Sequence, residues 1–396
     1  MQPISRLISV VIEKYAPPGN GLGFYQDKAV FVPQTAVGDE VLIRVEKEKK
    51  RYLLGSLAEI IKPGPDRRQE PCPHYAECGG CDLLHLPYSA QLALKKEMLN
   101  QVLTGVGITT SVKMVAAPNE FAYRHRAHFR RDPQSGNFGF LRRRSHQVAT
   151  IPACLILAPA LANMLENLSR AKGLSSAITA CYGLAGSGGA CAAAAENGHR
   201  LVAIPGYAES VMENYGFGEL ELAASGFAQA NPAVTRLMLQ DLSNVCRKEG
   251  TAAELYGGSG TFSLALANLV KDLTVYESDP KAAARGQRNV ARNGLKNVKF
   301  VSGRVENKSL PANLDILLVD PPRTGLDAQV VEKIVHSRAS KLIYVSCNPA
   351  TLARDLGRLN NFADGFILKS LAAYDMYAGT THLEVMALLE RRKLLS

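Results

Sequence analysis

The 396-residue chain has no long apolar run and few cysteines, and each shortage excludes a class of protein. No run approaches the roughly 20 consecutive apolar residues that a transmembrane helix needs. The opening stretch, MQPISRLISVVIEKY, carries charges inside its apolar part and makes a poor signal peptide. Eight cysteines in so long a chain do not form a disulfide framework, so clustered ones indicate metal binding or catalysis. We therefore expect a soluble, cytoplasmic protein without a membrane partner, built of two or three domains.

The net charge of +10 lies mostly in the first part of the chain. Residues 1–150 hold 21 Lys and Arg against 14 Asp and Glu, a balance of +7. The remaining residues hold 25 against 22, a balance of +3. A localised basic surplus favours a polyanionic partner, with nucleic acid first, although an ordinary solvated basic surface would show the same balance.

The N-terminal part of the sequence has three distinct patterns. Residues 4–62 alternate apolar and polar positions and turn often, which predicts a small all-β barrel. The stretch KPGPDRRQEPCP, from Lys62, is typical of a Pro- and charge-rich linker. Beyond it we expect a helix at about Ser89 to Leu103 and paired strands in YRHRAHFRR and NFGFLRRRSHQVATI. The small-residue stretch SGGACAAAAENG is predicted to form a loop and a strand edge.

From about Asn231 the sequence alternates helices with buried strands, which predicts a mostly parallel, doubly wound sheet. ELYGGSGTFSLALA places a Gly-rich turn between a strand and a helix, where backbone N–H groups can approach a ligand. About 20 residues later, VYESD places Glu277 at the next strand end, where an acid accepts hydrogen bonds from ribose hydroxyls. The turn lacks the G-x-G-x-x-G pattern, which favours S-adenosylmethionine over a dinucleotide because the former has no pyrophosphate.

Two further strand ends carry reactive groups. DILLVDPPRTGL places Asp320 at a strand tip, and YVSCNPATLARDL places Cys347 where open α/β sheets bind ligands. Amino-group methyltransferases also carry Asp-Pro-Pro but need a following aromatic residue to stack on the base, and here Arg323 follows. A buried structural cysteine is the alternative for Cys347. Three more isolated cysteines have no such context and are predicted to be structural: Cys181, Cys191 and Cys246.

The remaining four cysteines have a spacing that favours iron over zinc. Cys72, Cys78 and Cys81 are separated by five and two residues, and Cys154 lies far away in IPACLIL. Zinc ribbons usually pair one CxxC with another, but only one CxxC is present. Three close thiolates and a remote one fit a four-iron cubane, although unpaired structural cysteines are the alternative. A fourth ligand argues against the radical methylthiotransferases, which need one open iron.

Taken together, these motifs resemble the RNA 5-methyluridine methyltransferases, in the branch with a TRAM domain and an iron–sulfur cluster, and most closely its 23S ribosomal RNA enzymes. The motifs are CPHYAECGGC with Cys154, GFAQANP, ELYGGSGTF, VYESD, LLVDPPRTGL, YVSCNPATLARDL and THLEVMALLE. The resemblance implies three domains. They are an all-β TRAM barrel of the OB type (1–63), an α+β central RNA-binding domain with the iron–sulfur cluster (64–225), and an α/β Rossmann-like methyltransferase domain (226–396).

The resemblance also implies the roles of particular residues. Cys347 would be the nucleophile and Glu384 the base. S-adenosylmethionine would be bound by Gln229, Tyr256, Glu277 and Asp320, and a [4Fe-4S] cluster by Cys72, Cys78, Cys81 and Cys154. The chain departs from the family pattern at Arg304, where an acid or amide is common, near Thr261, where an Asn is usual, and before Glu384, where Phe-Pro is common.

The expected activity is methylation of C5 of a uridine in RNA, most readily in 23S ribosomal RNA, by a monomeric enzyme. Because the base must reach Cys347, the uridine would be single-stranded or flipped out of its stack. A transfer RNA target would ask for similar residues. An amino-group methyltransferase is a competing interpretation, and so is an RNA-binding protein whose catalytic half is vestigial.

Overall fold

The structure is a computed structural model that describes residues 6–170, 177–183, 190–197, 200–203, 207–224, 226–246, 250–362 and 365–392. Its residues group into two compact units. The first comprises Met1–Gln101, Phe140–Ala149 and Tyr377–Thr381. The second comprises Val102–Gly139, Thr150–Met376 and His382–Ser396. The sequence predicts three domains, whereas the residues of the structure group into two units.

The first unit contains a six-stranded sheet in the order β1-β5-β6-β4-β3-β2. Its strands are β1 (Leu7–Val11), β2 (Lys14–Ala16), β3 (Asn20–Tyr25), β4 (Lys28–Val32), β5 (Glu40–Glu48) and β6 (Tyr52–Lys62). Alternate residues face the core: Val41, Ile43 and Val45 of β5 are buried, whereas the residues between them are not. This alternation follows the two-residue period of a strand and confirms the predicted all-β region.

The predicted linker after β6 is folded against this sheet. The carboxylate of Asp39 is fully buried and accepts hydrogen bonds from Ala36 N at 2.6 Å and Gly64 N at 2.8 Å. The guanidinium of Arg67, only 8% exposed, lies 2.9 Å from the same carboxylate. The linker prediction is therefore wrong, because a buried ion pair between residues 28 positions apart fixes the segment. The first unit thus continues past residue 63, through the cysteine-rich segment and along helix α1 (Tyr88–Thr104) to Gln101.

The second unit contains an eight-stranded sheet in the order β18-β17-β16-β19-β20-β22-β21-β7. Its strands are β7 (Val112–Val115), β16 (Thr251–Leu255), β17 (Asp272–Glu277), β18 (Val298–Ser302), β19 (Ile316–Val319), β20 (Lys341–Ser346), β21 (Phe366–Tyr374) and β22 (Glu384–Arg391). Strands β16 to β20 are mutually parallel and β22 runs antiparallel to β20, which confirms the doubly wound prediction. Strand β7 was not predicted: it joins the edge from far outside the expected 226–396 domain by pairing with β21.

Helices cover this sheet, and the described helices from Pro232 onward number five. They are α3 (Pro232–Val245), α4 (Thr261–Ala267), α5 (Pro280–Arg292), α6 (Ala328–His336) and α7 (Pro349–Asn360). Three of them begin with proline directly after an Asn or Asp cap, as expected where a helix needs no backbone donor at its first position. None of the described helices is long and apolar enough to cross a membrane.

A further sheet has the order β10-β9-β8-β11-β12-β13, and beside it lies a two-stranded ribbon of β14 and β15. These elements are β8 (Arg126–Arg131), β9 (Phe138–Leu141), β10 (Val148–Thr150), α2 (Pro159–Arg170), β11 (Ala177–Gly183), β12 (Ala190–Asn197), β13 (Arg200–Ala203), β14 (Ser210–Asn214) and β15 (Glu219–Ala223). Residues 190–197 of the alanine-rich stretch form β12, which pairs with β11 and β13 and so is not a sheet edge, and the predicted loop lies outside the described residues. Pairing on both sides overrides the weak strand preference of alanine.

The Asp39–Arg67 pair allows a direct test of the folded linker. Arg67→Met leaves the buried Asp39 carboxylate without its counter-charge, which typically costs about 3–5 kcal/mol. We expect urea unfolding to show a loss of this size for Arg67→Met. The exposed Arg51→Met should stay within about 0.5 kcal/mol of the parent. Equal stability of the two variants would contradict the buried pair.

Candidate active site

The predicted active-site residues of the second unit lie at one end of the strands of the eight-stranded sheet. The parallel strands β16 to β20 end there, and the antiparallel β22 begins there with Glu384. Strand order reverses between β16 and β19, which is where doubly wound sheets bind ligands at the carboxyl ends of their strands. Tyr256 follows β16 and Asp320 follows β19 at this point.

Cys347 is held between a strand end and a helix start. Strand β20 ends at Ser346, whose hydroxyl accepts a hydrogen bond from Asn348 N at 3.1 Å. The Asn348 side chain caps helix α7 by accepting from Ala350 N at 3.1 Å, and Pro349 occupies the first helical turn. This tight turn leaves the Cys347 thiol half-buried at the carboxyl end of β20. The local structure therefore matches the prediction that YVSCNP is a strand end followed by a helix start.

The pairing of β20 with β22 brings Glu384 near Cys347. In the antiparallel pair of β20 and β22, Val345 lies opposite Met386 and Ser346 opposite Val385. The ladder ends at that pair: Cys347 follows the end of β20 and Glu384 is the first residue of β22, close enough for the Glu384 charge to act on the thiol. The Glu384 carboxyl is 4% exposed. Its burial, reinforced by the Asp320 charge and opposed by Arg323, raises the pKa of Glu384 well above its usual range.

Arg323 supplies the positive charge among these acids, a role that the sequence analysis missed. Its carbonyl accepts hydrogen bonds from Asn348 Nδ2 at 3.0 Å and from Thr351 Oγ1 at 3.3 Å, which tie its loop to helix α7. Its positive charge lowers the pKa of the Cys347 thiol. Burial and the Glu384 charge act in the opposite direction, so the pKa of Cys347 is raised overall.

The loop that carries Asp320 and Arg323 is fixed by a buried carboxylate. Asp355 of α7 accepts from Leu326 N at 2.7 Å and from the Tyr344 hydroxyl at 2.8 Å. Burial raises the pKa of Asp320 itself to about 7. The charges of Asp320 and Glu384 raise the pKa of the Cys347 thiol and the Arg323 charge opposes them, so all three negative charges cannot form here at neutral pH without strong repulsion. The site is therefore suited to exchanging protons between these groups.

The glycine-rich turn after β16 leaves space for a ligand. Gly257 must be glycine, because a Cβ there would lie 2.2 Å from Val275 Cγ1. Gly258 has a φ of +56°, and a Cβ there would meet nothing within 4 Å. Glu277, at the end of β17, accepts from Gly258 N at 2.8 Å and thereby ties the turn to the second strand. Tyr256 adopts a left-handed φ of +66°, a strained conformation that non-glycine residues adopt mainly at functional turns.

Gln229 contributes a buried polar atom with no partner among the described residues. The side chain is 4% exposed, and its Oε1 accepts no hydrogen bond from them. A buried amide oxygen without a donor is costly, so a bound ligand with an amino group would satisfy it.

The sequence analysis also missed Glu254, which is fully buried below the glycine-rich turn and accepts from Ser263 Oγ at 2.5 Å. Burial raises the pKa of Glu254 to about 8.

The predicted cluster ligands are all half-buried. Cys72, Cys78 and Cys81 lie in the first unit, and Cys154 lies in the second. Across the described ranges, no three His, Cys, Asp or Glu side chains are grouped so that they could hold a metal ion. The structure therefore does not show the iron–sulfur cluster, which stays a prediction.

Two of the cysteines predicted to be structural, Cys181 and Cys246, are buried. Burial raises the pKa of each to about 11, as suits unreactive thiols.

Three of the arginines in the basic N-terminal part are engaged within the protein. Arg143 forms an ion pair with Asp82 and donates to Cys81 O at 2.6 Å. Arg124 Nε donates to Arg126 O at 2.8 Å. Arg126 in turn donates to Ala224 O at 3.3 Å. These contacts hold the arginine side chains against backbone carbonyls, which a charge count along the sequence could not show.

Comparison with known proteins agrees with this geometry. The family model described as tRNA (Uracil-5-)-methyltransferase matches residues 218–311 and 304–392, and the TRAM domain model matches residues 6–58. A protein of Pseudomonas entomophila named 23S rRNA (uracil(1939)-C(5))-methyltransferase RlmD is 31% identical over 98% of this chain and 94% of its own. The protein of the same name in Vibrio vulnificus is 28% identical over 99% of this chain and 98% of its own.

The solved structure of the Pyrococcus abyssi tRNA (uracil-54, C5)-methyltransferase in complex with S-adenosyl-L-homocysteine has the same fold. It superposes with a TM-score of 0.79 and 23% identity, over 96% of this chain and 100% of that one. A full-length relationship at 31% identity, together with a strand-end site that brings Cys347 and Glu384 close together, leads to one conclusion. The chain belongs to the RNA uracil-C5 methyltransferase family.

Proposed function

We propose that this enzyme uses S-adenosylmethionine to methylate C5 of a uridine in 23S ribosomal RNA through a covalent adduct with Cys347. The observation that carries the proposal is the pairing of β20 with β22, which brings Cys347 near the buried Glu384, with the charge of Arg323 acting on both groups. Ribosomal RNA is favoured because the relatives named for 23S RNA match almost the whole chain at 28–31% identity. The alternative, a transfer RNA substrate, rests on the structure of the Pyrococcus abyssi tRNA (uracil-54, C5)-methyltransferase, which is 23% identical to this chain.

The donor site would be formed by four residues of the second unit. The unpartnered Gln229 Oε1 would accept from the amino group of the methionine part, and Glu277 would accept from the ribose hydroxyls. The open backbone at Gly258 allows the ligand to lie close to the turn, beside Tyr256 and Asp320. When bound, S-adenosylmethionine supplies an electrophilic methyl group.

The protein's own groups would carry the remaining chemistry. C5 of uracil is a weak nucleophile, and addition of the Cys347 thiolate to C6 moves the electrons of the C5–C6 double bond onto C4 and O4. C5 of this enolate then takes the methyl group. The C5 proton passes to the Glu384 carboxylate, the double bond re-forms, and the thiolate leaves.

The electrostatics of the site support this division of roles. The Arg323 guanidinium lowers the pKa of Cys347 and so favours the thiolate that must attack C6. The burial that raises the pKa of Glu384 makes its carboxylate a stronger base toward the weakly acidic C5 proton. An amino-group methyltransferase would need neither the thiol nor this base.

The order of the two roles can be tested by substitution. Cys347→Ser should abolish methyl transfer, because a neutral hydroxyl does not add usefully to C6. Glu384→Gln should still form the adduct and transfer the methyl group, but loss of the proton transfer should slow its release by about 10²–10⁴-fold. The measurement is RNA retention on a denaturing gel together with transfer of radiolabelled methyl.

Cys191→Ser serves as the control, because it removes a half-buried thiol from strand β12, which belongs to a different sheet. This variant should behave like the parent. Methylation by Cys347→Ser would contradict the covalent mechanism and favour amino-group chemistry. Absence of methyl transfer by the parent on any RNA would instead favour a vestigial catalytic half.

We also propose that the basic N-terminal part binds RNA phosphates through Arg142 and Arg144. Both follow strand β9 in the run RRR, whose middle residue, Arg143, forms an ion pair with Asp82. Arg144 is exposed, and Arg142 pairs with the exposed Glu77 at 3.0 Å, a contact that solvent weakens. Each phosphate contact on single-stranded RNA contributes about −0.7 to the slope of log affinity against log salt.

Replacing Arg142 and Arg144 together by Ala should therefore make that slope shallower by about 1.4. Filter binding of an RNA fragment across a salt series measures it. Replacing two exposed lysines of the second unit, Lys271 and Lys296, by Ala serves as the charge-matched control. An equal change in both double variants would show a general charge effect and not a phosphate-binding surface.

For the cysteines, we propose that Cys72, Cys78, Cys81 and Cys154 hold a [4Fe-4S] cluster. The support is their spacing, with three close thiols and a remote one. Protein purified without oxygen should be brown and contain about four irons per chain. Cys154→Ser should deplete iron, whereas Cys191→Ser should not. Colourless protein with stoichiometric zinc would contradict the cluster.

A further inference from the structure

We propose that Gln91 and Lys95, on helix α1, are positioning residues for the base Glu384. They hold the chain segment Tyr377–Thr381, here named the pre-base loop, which leads into β22. The inference rests on the proposed role of Glu384, and no feature of the sequence motifs assigns a function to either residue.

The pre-base loop sets where β22 begins. Strands β21 and β22 pair antiparallel, and their last pair is Tyr374 opposite Glu384. The chain between these two residues is therefore a long hairpin connection, and its middle portion groups with the first compact unit. Because only His382 and Leu383 separate the pre-base loop from Glu384, the position of this loop determines how the base enters the site.

Two buried polar side chains of α1 hold the backbone of the pre-base loop. Lys95 is fully buried, and its Nζ donates to Tyr377 O at 3.0 Å. Gln91 is also fully buried, and its Oε1 accepts from Gly379 N at 2.9 Å. The other end of the Gln91 amide donates to Leu86 O at 3.0 Å, which fixes the orientation of the amide. A buried lysine is costly to desolvate, so it needs acceptors for its charged amino group, and the Tyr377 carbonyl is one of them.

The cysteine-rich segment holds the same loop from another direction. The N–H groups of Asp82 and Leu83, directly after Cys81, both donate to Gly379 O, at 2.8 and 2.9 Å. Gly379 has a φ of +80°, and a Cβ there would lie 2.8 Å from Leu84 Cδ2. Both backbone polar groups of Gly379 are therefore satisfied by other residues of the first unit, and the fit tolerates no side chain.

The pre-base loop needs such support because its own sequence is permissive. YAGTT contains no proline to restrict its backbone, and its glycine adds conformational freedom. A base must lie within hydrogen-bond reach of the proton that it removes, and a displacement of about 1 Å can cost about 10²-fold in rate. Contacts from α1 and the cysteine-rich segment replace the rigidity that the loop lacks.

This role predicts a selective kinetic defect. Glu384 acts only after the methyl group has moved, so loosening the pre-base loop should slow release of the adduct and leave methyl transfer intact. For Lys95→Met and for Gly379→Ala we expect release about 10²-fold slower. Single-turnover methyl transfer should stay within about twofold of the parent, because the thiol and the donor turn are untouched. Lys95→Arg, which keeps a buried donor, should restore most of the release rate.

Each variant has a matched control. Lys96→Met removes a neighbouring but exposed lysine from the same helix. Gly107→Ala introduces alanine at an equally positive φ of +77°, where a Cβ meets nothing within 4 Å. Rapid-quench assays measure methyl transfer, and denaturing gels measure the lifetime of the protein–RNA adduct. Both controls should release RNA at the parental rate.

Glu384→Gln separates failure of this inference from failure of the proposed function. If Glu384→Gln accumulates adduct while Lys95→Met and Gly379→Ala release it normally, the positioning role is wrong. Equal losses of methyl transfer and release in the two loop variants would also overturn it, because they indicate general damage. If Glu384→Gln itself accumulates no adduct, the proposed role of Glu384 is wrong.

Discussion

The site at the carboxyl ends of the parallel strands depends on a balance between burial, which disfavours charge on its acidic groups, and the charge of Arg323. Asp320, Cys347 and Glu384 come from three different strand ends, and Arg323 opposes part of the effect of burial and repulsion on Cys347 and Glu384. Burial pushes the pKa of Asp320 to about 7 and that of Glu384 well above its usual range. An uncharged residue in place of Arg323 would leave a thiol that rarely ionises beside acids that rarely release their protons.

The sheet topology explains how these groups meet. Strands β19 and β20 are parallel and deliver Asp320 and Cys347 at their carboxyl ends, whereas β22 is antiparallel and delivers Glu384 at its beginning. One reversed strand thus brings Cys347 and Glu384, the proposed nucleophile and base, to the same end of the sheet. The same reversal makes the entry to β22 critical, and the buried Gln91 and Lys95 lie where they can fix that entry.

Much of this arrangement could be predicted from local sequence. Asn348 and Pro349 mark a capped helix start, so the exposure of Cys347 at a strand end follows from the residues beside it. The parallel strands and the glycine-rich turn have equally local signals. Long-range interactions have none: the charge of Arg323 acts on Cys347 from a different loop. The Asp39–Arg67 pair likewise turns an apparent linker into part of a folded unit. Strand β12 shows that pairing on two sides outweighs the propensity of alanine.

Attack of Cys347 on the uridine is the claim on which the other roles depend, and trapping with 5-fluorouridine tests it most directly. Fluorine at C5 cannot leave as a cation, so the methylated adduct cannot eliminate the thiolate. Mass spectrometry of the digested complex should find one nucleotide plus one methyl group on the peptide that contains Cys347. Attachment at another cysteine, or methylation without any trapped peptide, would contradict the account.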